Sequence, residues 1–163
     1  MMFVCRRATC TGIAVRAVVL ALLGTALIAA PSQAREYLKV ESAQSRGYTP
    51  GIVTEGGKTV WVSGQIGLVD EQGKSMAGNY EGQARVIFRA IDAVVKRAGG
   101  SIKDVVAITV YLVDPRLLEP LAAIRREFWP DGNFPTSTTI TVHSLPRVGM
   151  MLEVSAVAVI GEK

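Results

Sequence analysis

Val60-Trp61-Val62-Ser63-Gly64-Gln65-Ile66-Gly67 begins with β-branched and aromatic residues and closes on glycines. That is the pattern of a strand running into a tight bend. Two further stretches are read with it. Phe134-Pro135-Thr136-Ser137 leads into Thr138–His143, a strand of alternating polar and apolar residues. Gly149-Met150-Met151-Leu152-Glu153-Val154-Ser155-Ala156-Val157-Ala158 opens a final strand that runs from Met150 to Ile160.

Working outward, Asn79–Ala98 reads as an amphipathic helix. Ala84, Ile87, Phe88, Ile91, Val94, Val95 and Ala98 recur at three and four residues, and Gly99-Gly100 stops the run. Val105–Val113 is a nearly unbroken apolar run, the signature of a central strand covered on both faces. A second helix is predicted from about Leu117 or Glu119 to Phe128, with Pro120 in its first turn and Leu121, Ile124 and Phe128 as its apolar stripe. Glu36–Ser42 is a candidate first strand, Ala43–Gly51 a loop carrying Tyr48, and Glu55-Gly56-Gly57-Lys58 a turn. The order β, β, α, β, α, β, β predicts an α+β fold: a two-layer sandwich, a mixed sheet with two helices on one face. The other sheet face then needs cover, and association of several copies supplies it.

The first 34 residues read as a signal peptide. Arg6, Arg7 and Arg16 give a positive start, Ala17–Ala30 is a run of small or apolar residues, and Ser32 and Ala34 suit a cleavage site before Arg35. The run is short for a membrane span. Residues 35–163 form the domain. Three of the eighteen basic residues and none of the fourteen acidic ones leave with the leader, so the net charge falls from +4 to +1. A protein so nearly neutral gives no argument for nucleic acid, and none for stable membrane association once the leader is cut. Cys5 and Cys10 leave as well. No disulfide, thiol nucleophile or thiolate metal site is then expected, and the location is periplasmic or secreted.

The motifs together resemble the YjgF/RidA family of imine and enamine deaminases. Gly47-Tyr48-Thr49 is similar to its early tyrosine loop, Ser63-Gly64-Gln65-Ile66 to its strand-to-turn motif, Gln83-Ala84-Arg85 to the start of its first helix, and Phe134-Pro135 and Leu145-Pro146 to the approaches to its last two strands. The resemblance spans about Tyr48 to Val159. It implies a chorismate-mutase-like homotrimer with small-molecule clefts between subunits, no cofactor and no metal. It also implies a cleft lined by Tyr48, Ser63, Gly64, Ser137, Thr139 and Ser155.

Two positions depart from that pattern. Family deaminases hold the substrate carboxylate with an arginine just after Phe-Pro-x, and a guanidinium suits the task because its planar fork binds carboxylate bidentately. Here that position is Ser137. The late-strand glutamate that manages protons is replaced by Ser155, with Glu153 two residues earlier, on the same face but about 7 Å away along the strand. Glu153 is the candidate catalytic residue. Arg147 lies in a glycine-containing turn near the expected cleft mouth, and His143 is the sole histidine, near a turn. A cleft of hydroxyls without a cation suits a neutral polar ligand.

Three readings stay open. The first is an exported small-molecule-binding protein with deaminase activity absent or altered. The second is an active imine/enamine deaminase, a hydrolase releasing ammonia. The third is a structural or interaction trimer. Export weighs against the usual housekeeping role, since reactive imines from pyridoxal-phosphate enzymes arise in the cytoplasm.

Overall fold

The computed structural model describes residues 35–161, and the signal-peptide expectation lies outside them. Strand β1 (Glu36–Leu38) pairs antiparallel with β2 (Gly51–Val53) around a four-residue helix, α1 (Glu41–Gln44). The main sheet has β3 (Lys58–Gln65), β4 (Val105–Leu112), β5 (Thr136–Thr141) and β6 (Leu152–Ile160) in the order β3-β6-β4-β5. It is mixed: β3 and β4 run antiparallel to β6, and β4 runs parallel to β5. Helices α2 (Tyr80–Arg97) and α3 (Leu118–Phe128) complete the α+β sandwich. Both β1–β2 and α1 fall where the sequence suggested only one longer strand and a loop. Three- and four-residue elements carry too little periodicity to stand out.

Helix α2 forms for local and tertiary reasons at once. The Asn79 side chain accepts the Gly82 amide at 3.0 Å, satisfying one of the helix's open donors. Lys96 and Arg97 favour the negative C-terminal end, and Gly99 takes φ +97° just beyond it. Its apolar stripe supplies Ile87, Phe88, Ile91 and Val95, all fully buried. Phe88 meets Phe128 at 5.1 Å and Trp129 edge-on at 5.5 Å, which locks α2 to the end of α3. Buried Gln83 fixes the last turn of the chain: its Nε2 donates to the carbonyls of Met76 (2.8 Å) and Gly149 (2.7 Å), and its Oε1 accepts from the Met151 amide (2.9 Å).

These helices cover one sheet face only. Val62, Ile108, Val110, Leu112, Leu152, Val154, Ala156 and Ala158 point into the core, while their strand neighbours Trp61, Thr109, Tyr111, Glu153, Ser155 and Val157 point away. Strand β4 therefore alternates between buried and half-buried residues and is not covered on both faces within one chain. The apolar run was misleading because Ala107, Thr109 and Tyr111 all suit either surroundings.

Candidate functional site

Strand register decides where each candidate residue lies. In β5, Ser137 pairs with Ile108 and Thr139 with Val110, both buried beneath the helices. Partners across a parallel pair share a face, so Ser137 and Thr139 point to the helix side. In β6, Ser155 pairs with Thr109 and Glu153 with Tyr111, on the opposite face. Ser63 follows Trp61 on that opposite face, at a bulge between Val62 and Gln65. Gly64 belongs there too: a Cβ on it would stand 1.9 Å from Glu153 Oε1, so the glycine makes room for that carboxylate. The six cleft residues and Glu153 thus do not meet in one protomer. Tyr48, Ser137 and Thr139 form one group; Ser63, Gly64, Ser155 and Glu153 form another, across the sheet.

The first group lines a cavity of about 510 Å³, to which Arg46, Glu119, Arg125 and Arg126 also contribute. Tyr48 is placed by a tightly tied turn. The Thr49 amide donates to the Pro135 carbonyl (3.2 Å), and Gln44 Nε2 donates to Tyr48 O and Thr49 Oγ1 (both 3.3 Å). Gly47 turns the chain at φ +72°, where an added Cβ would press on the Ala122 carbonyl of α3 at 3.3 Å.

The expectation of a cleft without a cation does not hold. Arg125, on the inner side of α3 and 3% exposed, donates from Nη2 to Ser137 Oγ at 2.8 Å. Its Nη1 reaches the Gly47 carbonyl at 3.5 Å, and its Nε has no hydrogen-bond partner. Among the described residues it forms no ion pair. Burial pushes this guanidinium down to about 10, only partly offset by the nearby Tyr80 hydroxyl, so it is still charged at neutral pH. A buried charge with no counter-charge costs several kcal/mol. Its hydrogen-bonding fork is accordingly underused: of five N–H groups, one makes a good bond to a hydroxyl and one a long bond to a carbonyl. Tyr80 is itself buried, its hydroxyl donates to Leu117 O at 2.8 Å, and desolvation pushes its ionisation well up.

The sequence contained a signal for Arg125. Leu121, Ile124, Arg125 and Phe128 stand at i, i+3, i+4 and i+7, which puts an arginine inside the apolar stripe of α3. Reading the stripe for its apolar members passed over it. Arg147 is exposed and takes no part in the cavity, and His143 is exposed as well. Among the described residues no group of three or more His, Cys, Asp or Glu side chains comes together, and no helix is long and apolar enough to cross a membrane.

Comparison with known proteins identifies the family and the fold. The family described as Endoribonuclease L-PSP matches residues 39–160. The human 2-iminobutanoate/2-iminopropanoate deaminase is 30% identical over 114 residues, 70% of this chain and 80% of that protein. The Rid-family protein YyfB of Yersinia pestis has the same fold, with TM-score 0.69 at 20% identity over 77% of this chain and 98% of its own. Rv2704 of Mycobacterium tuberculosis, of the YjgF/YER057c/UK114 family, gives TM-score 0.54 at 22% identity, over 77% of this chain and 99% of its own.

Proposed function

This chain belongs to the Endoribonuclease L-PSP family, the YjgF/RidA proteins, and on that premise we propose that it is an exported protein binding a small acidic molecule, with its imine/enamine chemistry altered by a displaced anchor. The observation that carries the reading is the unpaired guanidinium of Arg125 against Ser137. Ser137 leaves the strand position without a cation, and α3 supplies one from the side. A carboxylate entering the cavity gains a charge-assisted bond from Arg125 and relieves an uncompensated buried charge.

Imine hydrolysis adds water across C=N, moves a proton to nitrogen and breaks the C–N bond to release ammonia. It therefore needs a proton-handling group beside the bound acid. Glu153 is the candidate, yet it lies on the other face of its own sheet. A complete site needs a second copy to bring its Glu153, Ser63 and Ser155 to this cavity. The uncovered face supports a homotrimer in which that happens: Trp61 is 79% exposed there, and Ile140 is exposed on the same side. The leader-like segment at residues 1–34 supports a periplasmic or secreted location.

Isothermal titration with 2-oxobutanoate, a stable mimic of the imino acid, tests the reading. The parent should bind, and Arg125→Gln should weaken binding at least about tenfold. Equal binding by both overturns it. Ammonia release from 2-iminopropanoate generated in situ should be near background in the parent and should rise in Arg125→Ala/Ser137→Arg, which returns the cation to β5. Ser137→Arg alone would set two guanidiniums against each other. Rapid release by the parent would favour the active-deaminase alternative.

A further inference from the structure

The charge of the whole cavity carries a second step, which rests on the anion-binding reading above. Besides Arg125 the walls hold two more guanidiniums, Arg46 and Arg126, and one carboxylate, Glu119. None of the three arginines forms an ion pair among the described residues. The two outer ones are held by neutral groups. Arg126 donates from Nη1 to Ala122 O at 3.2 Å and from Nη2 to Ser45 O. Arg46 donates from Nε to Ser42 O at 3.1 Å and lies over the Tyr48 ring, 5.8 Å from its centroid. Neither has an acidic partner among the described residues.

The cations fall into two places. Arg125 is buried at the floor, against Ser137, and Arg46 and Arg126 are exposed at the rim. Glu119 stands seven residues before Arg126, about two turns away along α3. It disfavours negative charge at its own end of the cavity and leaves the Arg46–Arg126 side as the attractive one. We infer that the ligand carries two acidic groups: a small dicarboxylate with one carboxylate on Arg125 and Ser137 and the other at the rim between Arg46 and Arg126. The volume of about 510 Å³ is within the range of small-molecule sites and leaves room for a short carbon chain between the two acids.

Titration of the purified full chain with glutarate and with pentanoate, equal in chain length and differing in the second carboxylate, tests this. Glutarate should bind about fivefold more tightly at low salt, and the advantage should shrink at high salt because the rim charges are screened. Arg46→Gln/Arg126→Gln, checked for folding by circular dichroism, should weaken glutarate more than pentanoate and so bring their ratio close to one. Arg125→Gln should weaken both ligands. If the parent binds both acids equally and Arg125→Gln still weakens them, the two-acid inference fails and the anion site stands. If Arg125→Gln changes neither, the anion site itself fails. Should the double variant not fold, the glutarate-to-pentanoate ratio of the parent at low and high salt decides the matter.

Discussion

The two faces of the main sheet are built from the same four strands and have opposite fates. Toward the helices, Phe88, Ile87 and Ile91 close over Ile108, Val110, Val154 and Ala156 in a dry core. Away from them, Trp61, Tyr111, Ser155, Val157 and Glu153 meet no other part of the chain's helical layer. A residue's strand neighbour therefore says little about its environment, and the alternation of side chains decides it. The candidate site obeys the same rule. Tyr48, Ser137 and Thr139 are on the helical side at the β5 edge, with Arg125 arriving from α3. Ser63, Gly64, Ser155 and Glu153 are on the bare side. A single chain carries these two groups on opposite faces of its main sheet.

The sharpest way to break that comparison is to cut one aromatic from each face. Phe88→Ala should cost about 3–5 kcal/mol in urea denaturation, the cost of a large buried cavity. Trp61→Ala should change the stability of the separate chain by less than about 0.5 kcal/mol, because 79% of the residue is exposed. In sedimentation it should shift the protein toward smaller species. Equal destabilisation by the two, with no change in assembly, would remove the distinction between the faces.

A smaller contrast comes from two glycines of one turn. A Cβ on Gly67 would lie 2.4 Å from the Gln83 carbonyl oxygen, part of the α2 backbone, which cannot swing aside. Gly67→Ala should therefore cost about 1–3 kcal/mol as overpacking. A Cβ on Gly64 would meet the Glu153 side chain, at 1.9 Å from Oε1 and 3.1 Å from Cγ, and not backbone among its nearest atoms. Gly64→Ala should be tolerated to within about 1 kcal/mol, because that side chain can rotate away. Thermal denaturation of both variants checks the order, and a Gly64→Ala more damaging than Gly67→Ala would show Glu153 to be rigidly held.

Much of this was legible in the sequence. The 3.6-residue repeat located α2 and α3, the glycines located the turns, and period-2 alternation grouped Ser137 with Thr139 and Glu153 with Ser155. Alternation within a strand does not say which face of one strand joins which face of another. That depends on register: Ser137 beside buried Ile108, and Ser155 beside half-buried Thr109. For the same reason alternation alone does not reveal that the two pairs lie on opposite faces of one protomer's sheet. Arg125 was missed because a charge inside an apolar stripe contradicts the pattern that identifies the stripe. Such local contradictions are where functional residues concentrate.

The central claim is that Arg125 is charged and buried for a ligand and not for the fold, and Arg125→Met tests it most directly. The pKa of Arg125 is lowered in the folded chain, to about 10. Above that pH the unfolded chain keeps the guanidinium proton that the folded one loses, so Arg125 contributes stability that rises with pH. Buried Tyr80, whose ionisation is pushed up, contributes a fall over the same range. Stability without ligand should therefore fall more steeply with pH in the variant, which keeps only the Tyr80 contribution, than in the parent. At neutral pH the methionine replaces an unpaired charge with apolar volume. The ligand-free variant should be as stable as the parent, or more stable by about 1–2 kcal/mol, while 2-oxobutanoate raises the melting temperature of the parent alone. A variant destabilised by several kcal/mol, with no ligand effect on the parent, would contradict the account.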